Sequence, residues 1–102
     1  MNALFTWYKT NTLFLKNQEK GLVYLYETLI DNLHDIEYCD KFLKYSMKEP
    51  MRSDIIIHIH NALSPIKDKL SYWDKFIEHS TYLLKEQLTE KEALELIKII
   101  NL

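Results

Sequence analysis

Apolar residues recur at intervals of three and four positions along nearly the whole chain, which is the spacing of one face of an α-helix. Few residues can interrupt such a helix, because the 102 residues include one glycine and two prolines, Gly21, Pro50 and Pro65. A chain of this length is long enough for one hydrophobic core. The pattern therefore predicts an all-α fold in which residues 1–102 form a single, compact domain of about five helices.

The first three helices have predicted starts at Asn2, Asn17 and Asp35, whose side-chain oxygens can each accept a hydrogen bond from the first helical turn. Gly21 falls one turn into the second helix, or alternatively marks a turn between the first two helices. The third helix is predicted to end before Pro50, because the residue preceding a proline is biased away from helical geometry. The second helix has the clearest apolar stripe, which consists of Leu22, Val23, Leu25, Tyr26, Leu29, Ile30 and Leu33.

The next segments are predicted to be helical as well. Residues 55–60 alternate isoleucine and histidine in the manner of a strand. An isolated short strand would have no partner in this chain, so we predict a helix over residues 52–63 with Ser53 as its cap. Ser64 and Pro65 predict the start of another helix, which carries apolar residues as far as Leu84.

Thr89 and Glu92 form a predicted capping box, in which each residue bonds the backbone of the other at the start of the last helix. This last helix is apolar on most of its sides. A helix of that kind belongs in the middle of a bundle or against a partner, so its sequence leaves room for a homo-oligomer formed through the C-terminal helix.

Composition narrows the function classes. Thirteen basic and fifteen acidic residues give a net charge of −2, which argues against a nucleic-acid binder held by phosphates. The single cysteine, Cys39, cannot form an intramolecular disulfide and is predicted to be a small buried side chain. No segment is apolar enough to span a membrane, and the first residues lack the basic region of a signal peptide. We therefore expect a cytoplasmic protein with no direct contact to nucleic acid or membrane.

Residues 21–40 contain five acidic residues and no lysine or arginine. Glu27, Asp31 and Asp35 are spaced four apart, so on a helix they would lie on one face and repel one another. Tyrosines stand at both ends of this row, and tyrosines beside carboxylates suit the binding of a basic partner. The alternative is a solvated helix face with lysines of another helix nearby. The predicted partner-binding residues are Tyr24, Glu27, Asp31, Asp35, Glu37 and Tyr38.

A second candidate site combines Arg52 with His58. Their spacing resembles the motif of the HEPN family of helical ribonucleases, although Ser53 stands where that family usually has a larger polar residue. The resemblance implies that His58 transfers protons and that Arg52 holds the phosphate. Alternatively, His58 is a structural residue that is satisfied by Asp54, four residues earlier on the same helical face.

No other chemistry is indicated by the sequence. The histidines and carboxylates near Asp54 supply at most two potential metal ligands, and a single glycine excludes a glycine-rich phosphate loop, so we expect no metal, no cofactor and no catalysis. The chain is similar in size and predicted architecture to colicin-type, contact-dependent and bacteriocin immunity proteins, the last also through residues 88–92. This similarity implies an immunity protein or antitoxin that covers the cleft of a basic toxin, such as a nuclease. A phage-encoded enzyme inhibitor would share these features, and a HEPN-like ribonuclease or a non-catalytic homodimer remains the alternative.

Overall fold

The computed structural model describes residues 2–101, which form six α-helices and one 3₁₀ helix and contain no strand. The all-α prediction is thus confirmed, with one more helix than the five expected, and the isoleucine-rich segment is helical. The radius of gyration is 12.8 Å, as a compact arrangement requires. The α-helices are α1 (Ala3–Lys16), α2 (Gln18–Asp31), α3 (Ile36–Ser46), α4 (Ser53–Leu63), α5 (Trp73–Gln87) and α6 (Glu90–Ile100), and the 3₁₀ helix is Ser64–Lys69.

Four helices begin at the caps that the sequence predicts. Oxygens of Asn2, Asn17 and Asp35 accept hydrogen bonds from backbone N–H groups three residues later, at 3.0 to 3.1 Å. Thr89 and Glu92 form the expected capping box, with the N–H of Glu92 donating to Thr89 Oγ1 at 3.3 Å. Each cap satisfies a backbone donor that has no partner within its own helix.

The predicted cap of α4 is wrong. Arg52 occupies the cap position without a side-chain bond, and Ser53 is already the first helical residue. The N–H of Ser53 donates instead to Oε1 of Gln87, at the end of α5, over 3.1 Å. The Nε2 group of Gln87 donates to the carbonyl oxygen of Met51 over 2.6 Å. A side chain 34 residues away in sequence therefore supplies the cap.

The helix predicted from Ser64 onward is broken into the 3₁₀ helix and α5. The break lies at Leu70, whose backbone is extended, and α5 begins only at Trp73. Asp40 of α3 holds the intervening turn, because Oδ1 accepts from the N–H of Tyr72 at 2.9 Å and Oδ2 accepts from the hydroxyl of Ser71. The predicted end of α3 also moves, from Glu49 to Ser46.

In the core, α1 packs on α2 and α3, and α4 packs on α2 and α5. One aromatic contact joins α1 to α3, where Trp7 packs edge-on against Phe42 with 5.8 Å between ring centroids. Helix α6 packs mainly on α5 and lies at the edge, so the alternative of a central position for the last helix is wrong. None of the helices described between residues 2 and 101 is long and apolar enough to cross a membrane. The fully buried side chains include Leu25, Leu29, Phe42, Leu43, Ile56, Ile59, Leu63, Phe76 and Leu84.

Helices α1 and α2 lie close together at Gly21. Helix α2 continues through this residue without a turn, and its φ is not positive. A methyl group at Gly21 would lie 2.6 Å from the backbone of Phe14 in α1. The glycine is therefore required by the close packing of two backbones and not by a special conformation.

Candidate partner-binding surface

Two of the predicted acidic residues, Glu27 and Asp31, lie exposed on α2 one turn apart. Among residues 2–101, neither carboxylate forms an ion pair with a cationic side chain. Asp31 is moreover the last residue of α2, whose final turn contains no basic residue. Because the negative end of the helix dipole disfavours an acid there, both the dipole and the neighbouring acid oppose the charge of Asp31. Within residues 2–101, these two carboxylates therefore do not stabilise the fold through an ion pair.

Asp35 does not continue the acidic row. Helix α2 ends at Asp31, and Asp35 belongs to the start of α3, where its Oδ1 accepts from the N–H of Tyr38 at 3.0 Å. The predicted face of three stacked carboxylates is therefore reduced to two. The carboxylate of Asp35 already has a structural partner as an N-cap.

Glu37 lies on α3 and forms an ion pair with Lys41, with 2.9 Å between Oε1 and Nζ. The hydrogen bond with Glu37 and its charge raise the pKa of Lys41. A lysine of the same molecule thus compensates this carboxylate, although it lies on the same helix and not on another helix as the alternative expected. Both side chains are exposed, so the pair adds little to stability.

The two predicted tyrosines differ in position. Tyr24 is half-buried, and Nζ of Lys9 lies 4.9 Å from the centre of its ring. Tyr38 is only 3% exposed and donates a hydrogen bond of 2.7 Å to Thr6 Oγ1. Burial is the main cause that raises the pKa of Tyr38, and the bond to Thr6 opposes that shift. The structure therefore removes Tyr38 from the surface to which the sequence assigned it.

Three apolar residues that the sequence assigned to the stripe of α2 lie at the surface beside the two free carboxylates. Val23 is 47% exposed, Tyr26 38% and Ile30 36%. The helical spacing of these three residues with Glu27 and Asp31 places all five within one face, which we call the α2 face. The stripe of seven apolar residues was wider than one buried helix face needs, and this excess was the signal in the sequence.

A shallow groove runs between the α2 face and α4. Its volume is about 430 Å³, and the rings of Tyr26 and His58 meet edge to face in its wall, 6.5 Å apart. The Nδ1 atom of His58 lies 2.7 Å from the carbonyl oxygen of Asp54. Because a carbonyl can only accept, Nδ1 carries the proton, and Nε2 of the neutral ring is an acceptor. The residues that line the groove are Leu22, Val23, Tyr26, Glu27, His58 and Asn61.

Arg52 and His58 contact different neighbours. The guanidinium of Arg52 lies 5.2 Å from the ring centre of Phe14 in α1, and its Nε lies 3.6 Å from Oδ1 of Asp54. His58 contacts Tyr26 of α2 instead. Six residues along an α-helix span about 9 Å and roughly one and two thirds turns, so the two side chains start on different sides of α4. The described contacts do not bring them together around one substrate position.

His58 is indeed satisfied by Asp54, but through the backbone carbonyl and not through the carboxylate. The carboxylate of Asp54 accepts instead from the N–H of Ile55 at 3.0 Å.

Within residues 2–101, no group of three or more histidine, cysteine, aspartate or glutamate side chains is arranged to hold a metal ion. No family model, curated protein or solved structure matches this chain.

Proposed function

We propose that this protein binds a basic protein partner through the α2 face and inhibits it. The most concrete form of this function is an immunity protein or antitoxin that covers the active cleft of a basic toxin, such as a nuclease. The observation that carries the proposal is the pair of exposed carboxylates, Glu27 and Asp31, which lack an ion partner within residues 2–101. Charges on such a surface that are opposite in sign to those of a partner speed association with it and disfavour other partners.

The apolar members of the α2 face support the same function. Val23, Tyr26 and Ile30 lie between or beside the carboxylates, and each is at least 36% exposed. An apolar centre edged by charge is the usual composition of a protein interface, in which buried aromatic residues supply affinity and charges supply steering. A nucleic acid would be repelled by this face, because its phosphates carry the same sign as Glu27 and Asp31.

The test is the double variant E27K/D31K. The partner is captured from native lysate on wild-type protein at low salt, and its association rate and the loss of its own activity are then measured. We expect the variant to associate about tenfold more slowly or worse, and we expect the wild-type rate to fall as salt is added. The matched control is E86K/E95K, which changes the net charge equally at two exposed positions of α5 and α6. Equal association rates for the two variants, or a partner that stays active when bound, would refute the proposal.

A second candidate function, self-association through α6, is favoured by one observation. Leu94 and Ile99 are 49% and 46% exposed on that helix. The test is sedimentation equilibrium of the wild-type protein and of the L94E/I99E variant. Self-association through α6 predicts a wild-type dimer and a monomeric variant. A wild-type monomer would exclude this function at the concentrations measured.

A further inference from the structure

We propose that the groove between α2 and α4 binds an arginine side chain of the basic partner. This inference rests on the proposed function and adds to it the residue type that anchors the complex. The groove is open to solvent, borders the α2 face and contains Glu27 in its lining. An interface usually depends on a few anchor residues that fill such depressions, and arginine is one of the three commonest anchors.

The groove offers three hydrogen-bond acceptors, besides the donors of the Asn61 amide and the Tyr26 hydroxyl. Glu27 has no ion partner among residues 2–101, and Nε2 of the neutral His58 ring is an acceptor because Nδ1 donates to Asp54. The amide oxygen of Asn61 adds a third acceptor, which is shared only with a 3.4 Å contact to His60. None of the lining residues is a lysine or an arginine. A guanidinium has five donors and no acceptor, so it complements this set.

The walls favour a planar cation with an apolar stem. Tyr26 is 38% exposed, so part of its ring is accessible, and a guanidinium can stack on an aromatic face. Leu22 and Val23 offer contact to the methylene groups of the stem. A lysine ammonium is more strongly hydrated and cannot form a bidentate hydrogen bond with a carboxylate. The groove should therefore bind arginine more tightly than lysine.

A neighbouring depression provides an internal comparison. It shares Val23 and Glu27 with the groove and also contains Glu19 and Tyr24, but Lys20 lines it as well. Lys20 stands beside these carboxylates and would compete with an incoming cation for them, and Tyr24 is the one ring in the lining. The groove beside α4 is therefore the better place for the arginine.

The test uses the isotopically labelled 102-residue chain and two probes, N-acetyl-arginine methylamide and N-acetyl-lysine methylamide, at equal ionic strength and about pH 8.5, where imidazole is neutral. Resonances of Tyr26, His58 and Asn61 should shift on addition of the arginine probe, with an affinity at least about fivefold above that of lysine. The E27Q variant should lose that preference. The control variant E86Q, also at an exposed glutamate, should keep it.

Equal affinities for the two probes, shifts scattered over the surface, or an E27Q variant that behaves as wild type would overturn the inference. These outcomes are separable from failure of the proposed function. If E27K/D31K slows association with the partner and the arginine probe does not bind in the groove, only the anchor is wrong. If the probe binds as expected and no basic partner is inhibited, the groove remains a guanidinium site and the inhibitory function is refuted.

Discussion

The hydroxyl of Tyr38 donates to Thr6 Oγ1 across 2.7 Å and joins α3 to α1 in the interior. The hydroxyl of Thr6 in turn donates a hydrogen bond to the carbonyl oxygen of Asn2 at 3.2 Å, so both hydroxyl groups donate within the protein. The bond connects residues 32 positions apart in sequence. It explains why a tyrosine flanked by acids is buried: its polar end has a partner inside the fold.

We expect the Y38F variant to fold and to lose about 1 kcal/mol in its free energy of unfolding, because one buried hydrogen bond is removed while the ring is retained. Urea denaturation followed by circular dichroism measures this change. Y24F is the control, since no hydrogen bond of the Tyr24 hydroxyl is seen within residues 2–101. Similar stability for Y38F and wild type would mean that the bond contributes nothing.

The G21A variant should be destabilised even though alanine favours helices by about 1 kcal/mol over glycine. The added methyl group would lie 2.6 Å from the backbone of Phe14, and a backbone cannot rotate out of the way. Overpacking of this kind costs about 1 to 3 kcal/mol, so we expect a net loss of stability by thermal denaturation. Comparison of K20A with K20G, at the exposed neighbouring position, reports the preference for alanine over glycine without the clash. A G21A protein more stable than wild type would show that α1 and α2 can move apart freely.

Gln87 should matter more than Ser53 for the start of α4. The Q87A variant removes the acceptor for the N–H of Ser53 and the donor to Met51, and we expect it to cost about 1 to 2 kcal/mol in the free energy of unfolding. The S53A variant should cost less than about 0.5 kcal/mol, since its side chain does not cap the helix. Urea denaturation of both variants gives the order. The reverse order would restore Ser53 as the cap.

Alkaline pH should destabilise the protein through Cys39. Burial, and then the nearby Asp35 and Asp40, raise the pKa of this thiol from 9.0 to about 11. Between these values the unfolded thiol loses its proton while the folded one keeps it, so the free energy of unfolding decreases as pH rises. Below about pH 9 the protonated thiol makes its full contribution to the free energy of unfolding. By about pH 11 this contribution has decreased by on the order of 2 kcal/mol.

The measurement compares the pH dependence of urea denaturation for wild type and C39A. Other groups titrate in both proteins, so the difference between the two slopes isolates the thiol. The alanine variant starts from a lower stability because of the space it leaves, which does not affect the slope. Parallel curves from pH 9 to 11 would contradict the shifted pKa.

The local elements of this fold were predictable, and the long-range polar contacts were not. Asn2, Asn17 and Asp35 cap the helices that immediately follow them, so a few neighbouring residues determine those starts. The cap supplied by Gln87 and the turn held by Asp40 depend on residues more than 30 positions away. No local pattern encodes such a pairing, which is why the long helix predicted after Ser64 and the cap at Ser53 were wrong.

The candidate site was predictable to a similar degree. The charge run identified Glu27 and Asp31, because an absence of lysine and arginine is visible in sequence. Which side of α2 is buried depends on where the neighbouring helices lie. The sequence therefore did not separate the exposed residues Val23, Tyr26 and Ile30 from the buried residues of the same apolar stripe. Likewise, the position of Tyr38 in the sequence is compatible with a surface residue. Its burial follows from the hydrogen bond to Thr6, which the sequence does not reveal.

Helix α5 is tied at both ends, near its start by Asp40 and at its last residue by Gln87. Helix α6 has no such tie to α1, α2 or α3 and packs mainly on α5. The boundary of cooperative unfolding should therefore fall at Leu88, between the two helices. Amide hydrogens of α6 can then exchange through a local opening that leaves the other five α-helices intact. This last eleven-residue helix would thus unfold independently, although it belongs to the same chain.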